Sequence, residues 1–85
     1  MTKYTVAWDP SCESDLADFW LTVADPQQIT RAANEIDSLL QSRPSELGVD
    51  LHEGLRVISV PPLKAVYSVS DDDRLVQVWQ IKLVS

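Results

Sequence analysis

A single cysteine, Cys12, in 85 residues excludes an internal disulfide framework and suits a reducing cytoplasm. The one histidine, His52, lies far along the chain from it, so the two cannot make a zinc set. Gly48 and Gly54 are the only glycines, which leaves no phosphate-cradling loop and no nucleophile elbow. No run approaches the roughly 20 apolar residues of a membrane span. The opening Met1-Thr2-Lys3-Tyr4 passes straight into a strand pattern without a signal-peptide core. Cations are scarce: seven against thirteen acids, a net charge of −6. Proteins that grip nucleic-acid phosphates usually carry the opposite balance, and this field would repel a polyanion. No cofactor is implied.

What is present is a core. Hydrophobic residues make up 45% of the chain, enough for one domain over residues 1–85 and none to spare for a second. Trp8, Trp20 and Trp79 are expected to pack inside it, and Cys12 to serve as buried filler. Tyr4, Val6 and Trp8 alternate and predict a strand over residues 3–8. Asp9-Pro10 then supplies a helix cap and first-turn proline, with Ser11 as the alternative cap, and Cys12, Leu16, Phe19, Trp20 and Val23 follow at helical spacing. Asp25-Pro26 repeats the start signal before Ile29, Ala32, Ala33, Ile36, Leu39 and Leu40, and Arg43-Pro44 ends the run. Residues 44–53 read as a connector. Residues 55–60, 63–69 and 75–84 read as strands separated by Pro61-Pro62 and by Ser70-Asp71-Asp72-Asp73. The expectation is an α+β domain, β-α-α-β-β-β, with a helical hairpin packed on a mainly antiparallel four-stranded sheet.

Few residues offer chemistry. Asp71-Asp72-Asp73 lacks the alternating ligands and distal glutamate of a calcium loop and reads as a solvated turn. His52 is suited to general-base work by its type, but it stands beside Glu53-Gly54 in the connector, where a lone histidine is usually a surface residue. The strand cations remain. Pairing across Pro61-Pro62 is expected to bring Arg56 near Lys64, with Lys82 joining from the last strand. Such a cluster would hold phosphate oxygens. As a plain surface feature, it would keep an exposed sheet soluble.

The order of these pieces resembles the RelE/ParE toxin superfamily. Tyr4-Thr5-Val6-Ala7-Trp8-Asp9-Pro10 followed by Asp15-Leu16-Ala17 is similar to its opening, and the second helix followed by Pro44 and Gly48 to its middle. Leu55-Arg56-Val57 and Lys64-Ala65-Val66-Tyr67-Ser68-Val69 resemble its central strands, and Asp72-Asp73-Arg74 before Leu75-Val76-Gln77-Val78 its acidic turn and last strand. The resemblance implies a component of a type II toxin–antitoxin module, partnered by a cognate antitoxin wrapped on its surface. Members either poison DNA gyrase or cut messenger RNA on the ribosome. For cleavage the family uses strand cations, to which Arg56 and Lys64 correspond, and an arginine and tyrosine after the last strand. Ile58 stands where a further strand lysine is expected, and no basic or aromatic residue follows Lys82. The resemblance therefore favours action by protein binding over RNA cleavage. A homodimer and a non-toxic binding module are the other forms it leaves open.

Overall fold

The computed structural model describes residues 3–84; Met1, Thr2 and Ser85, at the two ends read above from sequence, lie outside them. The chain runs β1 (Thr5–Trp8), α1 (Pro10–Thr22), α2 (Pro26–Ser42), β2 (Val49–His52), β3 (Leu55–Val60), β4 (Leu63–Ser70) and β5 (Leu75–Leu83). The strands form one sheet in the order β1-β5-β4-β3-β2, with β1 parallel to β5 and every other pair antiparallel. The sheet therefore has five strands, one more than expected. The extra strand, β2, lies inside the predicted connector. Its four residues are all exposed at an edge, so no buried face marks them in the sequence. The signal that betrays it is the turn: Glu53 (φ 50°) and Gly54 (φ 81°) form a two-residue link with positive φ at both positions, as a type I′ hairpin requires.

Local chemistry sets the helix starts. Asp9 caps α1, its carboxylate accepting from the Ser11 N–H (3.1 Å), with Pro10 in the first turn. The Ser11 hydroxyl, which also donates to this carboxylate, and then the Ser11 N–H hold the Asp9 carboxyl below its ordinary pKa. Asp25 repeats the device for α2, accepting from Gln27 N–H at 3.1 Å. α2 presents Ile29, Ala32, Ile36 and Leu40 as one buried stripe against Ile58, Leu63, Ala65, Tyr67, Val76, Val78 and Ile81 of the sheet. Each large aliphatic on that stripe contributes about 1.5–3 kcal/mol by leaving water. Cys12 is the sole fully buried residue of α1, its thiol against the Val78 carbonyl at 3.7 Å. Burial foremost, then the negative charges of Asp9 and Asp15, raises its pKa, so the thiol is filler and unreactive.

The tryptophans depart from expectation: none is fully buried. Trp8 is half-buried and donates Nε1–H to Asp37 (3.1 Å), while Trp20 and Trp79 are about half exposed. A two-layer domain of this size leaves the outer sheet face and the outer helix face uncovered, and the surplus aromatics stand there.

Candidate functional site

The register of the sheet separates the three strand cations. Arg56 lies opposite Tyr67, whereas Lys64 lies opposite Ser59 on one side and Lys82 on the other. Lys64 and Tyr67 are three residues apart on β4, and side chains alternate along a strand, so they point to opposite faces. Arg56 therefore shares the helix-side face with buried Tyr67, and its expected meeting with Lys64 does not occur.

Arg56 is occupied by the connector. Its Nε–H donates to the Leu47 carbonyl (3.0 Å), Nη1 to the Asp50 carboxylate and Nη2 to the Gly48 carbonyl (3.4 Å); the side chain is only 21% exposed. Tyr67 meets the same segment, its hydroxyl donating between the carbonyls of Pro44 (2.8 Å) and Leu47 (2.7 Å). The planar fork of arginine suits three divergent acceptors, which lysine could not match. Arg56→Ala is thus expected to lower unfolding free energy by about 2 kcal/mol, read by urea denaturation. An unchanged midpoint would show that the fork contributes nothing to holding the connector.

Lys64 and Lys82 do come together, directly opposite on adjacent strands of the outer face. Their Cβ atoms in such a pair stand about 5 Å apart, and like charges so placed are mutually destabilising. Among the described residues the ion pairs are Arg43–Glu46, His52–Glu53 and Arg56–Asp50, so neither lysine has a carboxylate partner there. With Ser59 they form a polar row across β3, β4 and β5. Beside it runs an apolar row, Val49, Val57 and Val66, also matched across strands. Next to β2 lies an open depression of about 560 Å³ lined by Val49, Leu51, Val57, Ser59 and Lys64 among others.

Trp79 completes this surface. In β5 the buried positions Val76 and Val78 are followed by Ile81 rather than residue 80, and the register with β4 shifts between Val66 and Tyr67. The extra residue leaves Trp79 and Gln80 both exposed, with Trp79 Nε1–H on Ser68 Oγ (2.9 Å). The break in alternation is legible in the sequence and was the available sign of an outward tryptophan.

The other candidates stay peripheral. His52 sits exposed at the end of β2, 4.0 Å from Glu53. Asp71-Asp72-Asp73 is an exposed turn held by Tyr4 Oη–H on Asp71 (2.6 Å) and by Ser70 on Asp73 (3.3 Å). Among the described residues no three His, Cys, Asp or Glu side chains converge as a metal site would require, and no helix is long and apolar enough to cross a membrane.

No protein-family profile matches the chain, and no curated protein does. Solved structures do. The RelBE2 toxin–antitoxin complex of Mycobacterium tuberculosis aligns with a TM-score of 0.80 at 17% identity, over 98% of this chain and 93% of that one. The chromosomal ParDE TA system of P. aeruginosa gives 0.70 at 18%, over 96% and 97%. The isolated RelE toxin of E. coli gives 0.59 at 14%, over 96% and 85%.

Proposed function

We propose that this chain, which has the RelE/ParE fold, is the toxin-like component of a type II toxin–antitoxin module and acts in the cytoplasm by binding proteins rather than by cutting RNA. Its partners in this reading are a cognate antitoxin and, as target, DNA gyrase. The observation that carries the reading is the outer sheet face, where an apolar row and exposed Trp79 flank two uncompensated lysines. Aromatic anchors beside desolvatable cations are what a protein-binding surface presents, and the lysines would pair with acidic groups of a partner. Metal-free phosphoryl transfer asks for more than this. Arg56 is committed to the connector, and the residues in register around Lys64 and Lys82 include no histidine or carboxylate to move a proton.

Inducible expression in a bacterial host tests the reading. The chain alone should arrest growth, the product of the adjoining gene should relieve the arrest, and the two should purify together. Trp79→Glu combined with Lys64→Glu and Lys82→Glu should abolish the complex. Neither arrest nor complex would defeat the proposal.

The opposed lysines also favour a second reading, a ribosome-dependent endoribonuclease of RelE type, because a phosphate between them would relieve their repulsion. That reading requires message cleavage that is lost when Arg56, Lys64 and Lys82 are replaced by alanine. A stable homodimer with neither toxicity nor an adjoining partner would mark a non-toxic binding module instead.

A further inference from the structure

We infer that the free edge of β2 is a self-association surface, at which two copies of this chain pair β2 with β2 antiparallel about a two-fold axis and make one sheet continuous across both. The strand order ends at β2, whose second edge meets no other strand among the described residues. All of its residues are exposed, with Val49 at 71% and Leu51 at 49%. Such an edge presents a row of backbone N–H and C=O groups to any second strand. β1, at the other end of the sheet, is less open: only Thr5 is exposed, and Trp8 donates to Asp37 of α2. The Arg56 fork onto Leu47, Gly48 and Asp50 holds the start of β2 in place, so an incoming strand meets an ordered template.

Charge selects a second copy as the occupant. Between Asp9 and Ser42 stand seven acids and a single base, Arg31, so the helical layer holds the entire net charge of −6 and the rest of the chain is neutral. None of these acids belongs to an ion pair among the described residues, and two such layers repel one another. Around β2 the balance is reversed. The ion pairs Arg43–Glu46, Arg56–Asp50 and His52–Glu53 all lie within residues 43–56, so each carboxylate of that segment has a basic group within 4.0 Å. A compensated, apolar edge on an otherwise acidic molecule is where two copies can meet, and it offers a strongly charged partner little. With Val49 of one copy opposite Leu51 of the other, the two-fold axis repeats the pair, and the Val49, Val57 and Val66 row of each copy gains a leucine. Asp50 then faces Asp50, each already paired with its own Arg56. A four-residue strand gives a ladder only about 13 Å long, well short of the roughly 800 Å² per partner of a stable dimer, so the association is weak and reversible.

Lys82 and Trp79 lie on β5, away from this edge, so the inference stands apart from the toxin-like reading, and its test involves neither growth nor an antitoxin. Sedimentation equilibrium of the full chain from about 20 μM to about 2 mM should show a monomer–dimer equilibrium with a dissociation constant of roughly 0.1–1 mM. Added salt should not weaken it, because screening relieves the repulsion between the two helical layers and no intermolecular ion pair is lost. Amide resonances that shift with concentration should centre on Val49–His52. Leu51→Lys puts a charge into the paired edge at a half-exposed position and should raise the dissociation constant at least about tenfold, with the urea midpoint unchanged. Leu21→Lys, the same change at a 76% exposed position of α1, should leave it nearly unaltered. A monomer throughout the range, no loss from Leu51→Lys, equal losses from the two lysine variants, or amide shifts confined to the helices would overturn the pairing.

Discussion

Gly48→Ala is expected to remove about 3–4 kcal/mol of folding stability, a large part of the roughly 5–10 kcal/mol available to a domain of this size. Gly48 has φ +74°, and a Cβ there would lie 2.5 Å from the Val57 carbonyl oxygen and 2.9 Å from the Tyr67 hydroxyl. Positive φ by itself costs about 1 kcal/mol for alanine. The clash with backbone costs more, because only a shift of β2 away from β3 relieves it. That shift would loosen the Val49–Val57 pairing and the Arg56 bond to the Gly48 carbonyl. Gly54 is the internal control. Its φ is +81°, yet nothing stands within 4 Å of its Cβ position, so Gly54→Ala should cost only about 1 kcal/mol. Urea denaturation of the two variants side by side makes the comparison. Equal losses would mean that backbone conformation alone, and not the close approach, requires glycine at position 48.

Tyr67→Ala should cost about 3–5 kcal/mol, and Tyr67→Phe about 1–3 kcal/mol. Tyr67 is a fully buried side chain, and it combines two roles that these variants separate. The ring fills the core, which alanine empties. The hydroxyl ties the end of the helical hairpin to the sheet through Pro44 and Leu47, and phenylalanine removes only that tie. The Leu47 carbonyl keeps the Arg56 Nε–H, so the Pro44 carbonyl bears most of the loss. Burial raises the pKa of the phenol, with Arg56 opposing the shift. A folded-state pKa above the unfolded one means that the neutral hydroxyl's stabilisation is complete below the unfolded pKa and fades as pH rises through the folded one. The stability gap between the parent chain and Tyr67→Phe should therefore narrow in alkali; a gap that widens would reverse the assignment.

Much of the architecture was legible because its signals are local. Asp9-Pro10 and Asp25-Pro26 start both helices, and the Ile29–Ala32–Ile36–Leu40 spacing marks the buried stripe of α2. Residues 55–60 form β3 as read, and the predicted strand at residue 63 needed one residue added at its end. The edge strand β2 escaped because exposed residues at a sheet edge carry no burial pattern, although Glu53-Gly54 spelled its hairpin. The candidate site was the least legible part. The expected meeting was of Arg56 with Lys64, joined by Lys82; the pairing sets Lys64 opposite Lys82, and Arg56 went elsewhere because the Pro61-Pro62 hairpin pairs it with Tyr67. The outward placement of Trp20 and Trp79 was missed because an aromatic count cannot tell a core from an uncovered face.

Composition and spacing by themselves determined the charge of the helical layer, the places where helices begin, and which residues have side chains suited to burial. These are properties of neighbours along the chain, within reach of hydrogen bonds and periodicity a few residues long. Tertiary structure alone decided that Arg56 braces a connector and that Lys64 and Lys82 share the outer face. Strand register and layer count bring together residues far apart in sequence, and a shift of one residue in pairing sends every side chain of a strand to the other side.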